Sequence, residues 1–418
     1  MQNLSNPRRT LYAHVHMQTP ADDCRSAKMT DILAIASLYF TFIVGDNELS
    51  AFGAFLPDIE VRVLGVCTTL AFLLASGARR TPAGTATWAI VSMVWIGYLL
   101  LSTWWAPLQV SGYRSAREEL IWLGILIVLA LVVFSVTPRS ADVALWWAAY
   151  LSGTVFAIAG LVAGAGSQGR FSAFGGGPNT FVRIVFVGLL AAVVLALHLR
   201  KTRFLLLAPV LVIAIVLSGS RGGLLAAFVS ALVFVFLVRR KVRFSSLVLA
   251  SVGIVIAVSV LALNTSLGSE ARGLFAQRFV TEAVGEGNFS GRTGLYAEAI
   301  VLFKSNPFVG VGAGGFAQLQ TVLALDSHAH NIVLSTLSEG GVVGTILLIL
   351  LLVTCFRVLE LDKNADPIAL GASVGALFIL FVSQSSGYYF DFRMFFLFVA
   401  LVASRVSGAA EGLRRDEE

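Results

Sequence analysis

The chain has 418 residues, of which 57% are apolar and 13% are charged, and its formal net charge is +6. A soluble core of this length cannot absorb so much apolar surface, so the composition excludes a soluble protein and indicates an integral membrane protein. The apolar runs are continuous and do not alternate with polar residues, which excludes a membrane β-barrel and predicts an all-α fold. The cations lie between these runs, so membrane topology explains them better than a nucleic-acid partner does.

The first 29 residues are polar and lack the apolar core of a signal peptide, so we interpret them as a cytoplasmic tail. Residues 30–418 are predicted to form a single polytopic membrane domain. The three cysteines have no metal-like spacing, and two of them fall in apolar segments, so they are interpreted as ordinary helix residues.

Apolar segments of about 20 residues are long enough to cross a membrane as helices. They lie at 30–45, 59–77, 84–105, 118–136, 141–163, 180–199, 203–219, 222–238, 245–263, 331–357, 367–384 and 390–408. With the N-terminus inside, the tight basic clusters all fall in inner connections, in agreement with the positive-inside bias. The sequence therefore predicts about 12 transmembrane helices.

Residues 264–330 form a long polar interruption, which this topology places outside the membrane between the ninth and tenth spans. Apolar stripes at 274–280 and 295–303 predict two short amphipathic helices on the outer membrane surface, the second ending at Asn306-Pro307. In a later span, the small residues of Gly371–Gly375 predict a helix-packing face.

Three polar motifs stand where predicted spans begin at the outer face. They are Gly-Gly-Gly-Pro-Asn-Thr at 175–180, Ser-Gly-Ser-Arg-Gly-Gly at 218–223, and His330-Asn331. A helix N-terminus has free N–H groups and a partial positive charge, which suits phosphate.

Arginines near these helix starts add permanent charge and bidentate hydrogen bonding, so Arg183, Arg221 and Arg292 predict a diphosphate site. The alternative is that each arginine extends to lipid headgroups. Both interpretations stay open for Arg170 and Arg183. Function is favoured for Arg221, because it is surrounded by serine and glycine, where packing gains nothing from a cation.

His330 stands at the start of a span beside Asn331, which is able to cap the helix. A neutral imidazole there is suited to take a proton from an acceptor hydroxyl. His328 is interpreted as structural. Glu339 and Asp391 are each predicted either to orient His330 or to pair with an arginine.

Two further motifs are predicted to have no catalytic or binding role. Residues 310–315 fit G-x-G-x-x-G but follow no strand, so they predict a flexible turn and not a dinucleotide site. The acidic residues Asp46, Glu48, Asp58 and Glu60 resemble the metal-binding acids of some lipid-linked glycosyltransferases. No further ligand clusters near them, so topology-determining acids are the favoured interpretation and no metal site is predicted.

The order of motifs in the second half of the chain resembles the O-antigen ligase and polymerase superfamily over about residues 170–350. The motifs are Ser220-Arg-Gly-Gly223, Gly291-Arg292, Lys304-Ser-Asn-Pro307, Gly310-Val-Gly312, Phe316, His330-Asn331 and Glu339-Gly-Gly-Val-Val-Gly344. One departure is Ile332-Val333-Leu334, where family members often have an aromatic residue, which leaves the acceptor's identity open.

The resemblance implies a membrane glycosyltransferase of the C-type fold that inverts configuration and needs no metal or cofactor. Its expected donor is an undecaprenyl-diphosphate-linked glycan, and its acceptor is a hydroxyl of a glycan or glycolipid. The implied place is the outer face of the bacterial cytoplasmic membrane, in cell-envelope polysaccharide biosynthesis. The resemblance implies, position by position, that Arg221 and Arg292 hold the diphosphate and that His330 is the base.

Two other functions stay open. A polymerase that joins repeat units fits the same motifs as a ligase. A transporter or flippase of lipid-linked sugars is disfavoured, because transporters place ionisable groups and broken helices near the membrane midplane, whereas the polar motifs here lie at one rim.

Overall fold

A computed structural model describes residues 26–44, 60–77, 86–107, 115–166, 169–238, 273, 292–320, 328–361 and 365–415. Within these ranges the structure is helical, without β-strands, which confirms the all-α prediction. The helices are α1 (Met29–Val44), α2 (Val61–Ser76), α3 (Ala86–Ser102), α4 (Ala116–Val136), α5 (Val143–Ala163), α6 (Gly177–His198), α7 (Ala208–Leu217), α8 (Arg221–Val238), α9 (Thr293–Ser305), α10 (Gly315–Leu319), α11 (Ile332–Val358), α12 (Pro367–Val382) and α13 (Arg393–Arg415). Short 3-10 helices occupy Arg139–Ala141, Thr202–Leu207 and Phe390–Phe392.

Helices lie at every predicted span position that the structure describes, whereas the segment 245–263 lies outside the described residues. Among the described residues, 5 helices are suited by length and composition to cross a membrane. They are Ala116–Val136, Arg139–Ala163, Gly177–His198, Arg221–Val238 and Ile332–Val358. The protein is therefore a multi-pass membrane protein, and the total of 12 spans stays a prediction.

The two amphipathic helices predicted for the long loop have different outcomes. The second is α9, which ends at Ser305 directly before Asn306-Pro307, as predicted. It buries Leu295, Ala299 and Leu302 on one face. The first, at 274–280, lies outside the described residues, as do residues 1–25 of the N-terminal tail and the acidic residues Asp46 to Asp58.

Helix α6 lies at the centre of the bundle, and 78% of its 18-residue apolar stretch is buried. A Cβ on Gly153 of α5 would lie 2.6 Å from Gly188 Cα, so glycine at these positions lets the two backbones touch. On α12, Gly371 packs against Val194, and Gly375 packs against Phe398. The predicted packing face of α12 is therefore confirmed.

Ion pairs among the described residues lie toward the two ends of the bundle. We call the end where α6, α8 and α11 begin the site end. At the far end, the Arg405 guanidinium donates to Asp142 Oδ2 at 2.8 Å and to Asp366 Oδ2 at 2.5 Å. His198 closes α6 at the same end, 3.9 Å from Asp366. These ionic contacts tie the far ends of α5, α6, α12 and α13 together.

Helix α11 is interrupted at Gly341, whose φ of 63° and ψ of −160° are not helical. Residues 307–312 supply the hydrogen bonds that the helix loses there. The exchanged bonds are Val342 N to Pro307 O (2.9 Å), Val343 N to Phe308 O (3.2 Å), Val311 N to Ser338 O (3.0 Å) and Gly312 N to Glu339 O (2.9 Å). The turn thus replaces two consecutive i to i−4 hydrogen bonds of α11. The backbone N–H and C=O groups at the break therefore keep hydrogen-bond partners.

This exchange explains the glycines of the 310–315 motif. Gly310 has a φ of +68°, and a Cβ there would lie 2.3 Å from the backbone carbon of Glu339. Gly312, with a φ of +85°, approaches Ser102 O in the same way. The prediction of a flexible turn was therefore wrong, because the turn is bonded into a broken helix and its glycines permit backbone contact.

We expect Gly310→Ala to lower the free energy of unfolding by at least about 3 kcal/mol, through backbone strain and overlap with α11. The control is Gly77→Ala, because Gly77 also has a positive φ of +61° but nothing within 4 Å of the added methyl group. Strain alone should cost the control about 1–2 kcal/mol. Unfolding in detergent measures both, and equal losses would show that the turn does not depend on close approach.

Candidate functional site

The segment Ser383-Gln384-Ser385-Ser386-Gly387 joins α12 to the last 3-10 helix, and we call it the linking segment. It contacts the starts of α6, α8 and α11 together. The contacts are Ile332 N to Ser383 O (3.0 Å), Asn331 Nδ2 to Gln384 O (2.9 Å), the Arg183 guanidinium to Ser386 O, and Gly222, where a Cβ would lie 1.8 Å from Ser385 Oγ. Two of the polar motifs found in the sequence therefore meet this segment, and α6 reaches it through Arg183, three residues beyond the motif at 175–180.

Arg221 and Arg292 stand beside contacts to the linking segment. Arg221 is the first residue of α8, directly before Gly222, and its side chain is half-buried. Arg292 precedes α9, where the Tyr296 hydroxyl donates to Gln384 O at 3.3 Å. The structure thus brings the neighbours of both arginines to one segment, while their convergence with His330 in one pocket stays a prediction.

Arg183 is held by an ion pair inside the bundle. Its side chain is 8% exposed and lies 3.1 Å from Asp391 Oδ1. Asp391 is also 3.8 Å from Arg393, so two guanidinium groups share one carboxylate. The prediction that Asp391 pairs with an arginine is confirmed. Its guanidinium thus joins Asp391 to the linking segment, and a role of Arg183 in substrate binding stays a prediction.

Arg170 fixes the motif that precedes α8. Its Nε donates to Ser218 O at 3.2 Å. Ser220 Oγ lies 2.8 Å from Asn179 Oδ1, which joins this motif to the one at 175–180. The first two polar motifs are therefore one hydrogen-bonded unit at the site end.

Asn331 caps α11 as the sequence predicted. Its Oδ1 accepts hydrogen bonds from Val333 N and Leu334 N, both at 3.0 Å. The preceding His330 has a φ of 54°, in the left-handed region that non-glycine residues adopt uncommonly. Such backbone strain persists where surrounding structure enforces it, and it concentrates at functional sites. It leaves the His330 ring centroid 4.2 Å from that of His328.

Glu339 binds two tyrosines and two backbone amides deep in the bundle. Its Oε2 accepts from the hydroxyls of Tyr388 (2.6 Å) and Tyr389 (2.8 Å), and its Oε1 accepts from Gly314 N (3.0 Å) and Phe316 N (3.3 Å). Burial, and next the Glu339 carboxylate, raise the pKa of both phenols well above its usual value, so they remain donors. Of the two acids between which the sequence left the choice open, Asp391 pairs with an arginine, whereas Glu339 binds tyrosines and backbone amides.

A cavity of about 920 Å³ lies between α1, α5 and α6. Along α1 its lining runs from Ile32 to Val44, a distance of about 18 Å at 1.5 Å per residue. Most of this lining is apolar, and its titratable groups come together at the site end. They are Glu119, His328, Tyr388, Asp391 and Arg393. An elongated apolar space with one polar end is suited to an amphiphilic molecule.

The cavity is lined by residues to which the sequence patterns assigned no role in the site. His328 was interpreted as structural, yet it lines the cavity, whereas Arg221, Arg292 and His330 are not among the described side chains that do so. Arg393 is buried, and its Nε donates to Phe42 O at 2.6 Å. A cation followed by continuous apolar sequence was the available signal for Arg393, but nothing local indicated its partners.

Metal ligands are not grouped in the described part of the chain, where no three His, Cys, Asp or Glu side chains lie close enough to hold an ion. Glu60, the described member of the acidic set in the first outer loop, pairs with Arg62 at 3.0 Å. Arg62 in turn lies over the rings of Trp122 and Phe390.

We expect Asn331→Ala to lower the free energy of unfolding by about 2 kcal/mol, because it removes both the helix cap and the bond to Gln384 O. Asn331→Ser keeps a capping oxygen and should lose about 1 kcal/mol. Thermal unfolding of the purified variants measures the difference. Identical stability of the serine and alanine variants would mean that the cap contributes nothing.

Comparison with known proteins gives a family for this region. Residues 206–349 match the family model described as O-Antigen ligase. The matched segment contains Arg221, Arg292, His330, Asn331 and Glu339. A search of curated proteins finds no match to the chain. The match over residues 206–349 supports the resemblance of this chain to the O-antigen ligase and polymerase superfamily.

Proposed function

We propose that this protein is a membrane glycosyltransferase of the O-antigen ligase type. It transfers a glycan from an undecaprenyl diphosphate carrier to a hydroxyl of a glycan or glycolipid acceptor. The reaction takes place on the outer face of the bacterial cytoplasmic membrane, inverts configuration and uses no metal or cofactor. Residues 30–418 form one domain of 12 spans, with 264–330 as the outer loop.

The observation that carries this proposal is the meeting of three helix starts at the linking segment. Helices α6, α8 and α11 all begin at this end, so the positive ends of their dipoles favour an anion there. Arg221 belongs to the first turn of α8, and His330 directly precedes the cap of α11. Cationic and proton-accepting groups are therefore gathered at the same end of the bundle.

The cavity supports a lipid-linked donor. Its apolar lining along α1 and α5 suits a polyprenyl chain, and its polar end lies toward the helix starts. Hydrophobic burial of such a chain favours binding at about 0.8 kcal/mol for each buried CH₂ group. The carrier's diphosphate would then lie at the site end, where Asn331, Arg170 and Arg183 complete the proposed substrate-binding set.

The chemistry requires stabilisation of a leaving anion and removal of one proton. The acceptor oxygen attacks the sugar C1 on the face opposite the diphosphate, His330 takes the hydroxyl proton, and the C1–O bond to the diphosphate breaks. Arg221 and Arg292 stabilise the negative charge on the departing undecaprenyl diphosphate. Inversion at C1 follows from a single displacement and needs no covalent nucleophile.

The positions of buried charges favour an enzyme over a transporter. Arg183 is the seventh residue of α6, and Glu339 is the eighth of α11. Both therefore lie about 10 Å from the start of their helix, toward the site end and not at the middle. Transporters concentrate such groups at the midplane.

We expect Arg221→Ala, Arg292→Ala and His330→Ala each to reduce kcat at least about a hundredfold, since each removes anion stabilisation or the general base. Arg357→Ala is the matched control, because Arg357 lies in the last turn of α11 and its side chain is exposed. The assay is glycan transfer by reconstituted protein, with and without chelator. Full activity of Arg221→Ala, or loss of activity with chelator, contradicts the proposal.

A deletion strain separates a ligase from a polymerase. Loss of a ligase leaves full-length glycans attached to the carrier, and loss of a polymerase leaves single repeat units on the acceptor. Unchanged surface glycans, with normal carrier-linked intermediates, would count against both.

A further inference from the structure

We propose that His328 is a second imidazole of the active site, which contacts the diphosphate of the lipid-linked donor at the polar end of the cavity. Tyr388, held by Glu339, fixes the plane of its ring. This inference rests on the proposed function and adds residues outside the arginine and histidine set carried over from the family resemblance. It divides the two histidines between the two substrates, with His328 facing the donor and His330 serving the acceptor.

The position of His328 carries the first step. Its side chain lines the cavity beside Tyr388, Asp391 and Arg393, whereas the lining along α1 and α5 is mostly apolar. A carrier with its chain in the apolar part would therefore present its head to this group. Ala329 is fully buried, so it anchors the backbone between the two histidines.

The charge balance at this end gives His328 its importance. Arg183 and Arg393 face the carboxylate of Asp391, and Glu119 acts electrostatically on Arg393 from the same cavity. Arg62, which pairs with Glu60, also acts on Arg393, so three guanidinium groups are offset by three carboxylates. The imidazole of His328, which acts on Asp391 electrostatically, adds an N–H donor for an anion to this balanced group.

Tyr388 supplies the support for the ring. Its ring stacks on His328 with centroids 5.0 Å apart and an interplanar angle of 29°. Its hydroxyl donates to Glu339 Oε2 at 2.6 Å and accepts from Gly314 N at 3.2 Å. A tyrosine fixed at its hydroxyl cannot turn away, so it holds the imidazole at a constant orientation. Tyr388 is therefore a positioning residue, and His328 is the group that touches the substrate.

The test compares two radiolabelled ligands, undecaprenyl diphosphate and uncharged undecaprenol, binding to full-length protein in nanodiscs. His328→Gln is expected to weaken undecaprenyl diphosphate binding about tenfold to a hundredfold, the loss for one hydrogen bond to a charged group, and to leave undecaprenol binding unchanged. His198→Gln is the matched control, because it lies at the far end of α6, about 30 Å from Gly177 by helical rise.

Tyr388 is tested with the same two ligands. Tyr388→Leu removes the stacked ring and should lose as much diphosphate affinity as His328→Gln, while Tyr388→Phe keeps the ring but loses its hydroxyl anchor and should show a smaller loss. Undecaprenol binding should not change in the phenylalanine variant. Equal losses in the leucine and phenylalanine variants would show that the ring does not position His328.

The outcomes separate this inference from the proposed function. If wild-type protein binds the diphosphate no better than undecaprenol, the proposed donor is wrong. If wild type prefers the diphosphate and His328→Gln keeps that preference, only the role of His328 is overturned. A parallel loss of both ligands in His328→Gln also overturns it, because a merely structural change would produce that result. His330→Gln should bind the diphosphate normally and fail in transfer.

Discussion

The rest of the site end depends on one exchange of backbone hydrogen bonds, between the 307–312 turn and the interrupted helix α11. A helix that breaks inside a membrane must find new partners for its freed amides and carbonyls, because lipid offers none. The turn supplies them in register, and only glycine at 310 and 341 lets the two backbones approach so closely. This contact fixes the position of Glu339, which directly precedes Gly340 and Gly341.

Glu339, whose position is fixed by this exchange, in turn fixes the segment that follows α12. By accepting from Tyr388 and Tyr389, it fixes the residues that directly follow the linking segment. The linking segment in turn contacts the starts of α6, α8 and α11. A broken helix, a buried carboxylate and a five-residue connection thus determine how the predicted arginines and histidine are placed relative to one another.

Local sequence patterns were sufficient for most of the helices and for several of their ends. Apolar length located the described spans, Asn331 identified a cap, and the small residues of Gly371–Gly375 identified a packing face. The linking segment escaped detection because Ser-Gln-Ser-Ser-Gly has the composition of any polar connection. The partners of Glu339 lie about fifty residues further along the chain, and hydrophobic periodicity contains no information on such distant pairs. The cavity has the same origin, since its wall joins residues from opposite ends of the sequence.

The break in α11 also bears on how deep the site end would lie in a bilayer. Beyond Gly341 the helix continues from Val342 to Val358, about 26 Å at 1.5 Å per residue. That length nearly matches the hydrocarbon layer of a bilayer, which is about 30 Å thick. With this part of α11 across the hydrocarbon layer, the nine residues before the break and the histidines ahead of them would lie in the zone of lipid headgroups. At that level the proposed membrane-confined carrier and a sugar hydroxyl in water would meet without either one leaving its own phase.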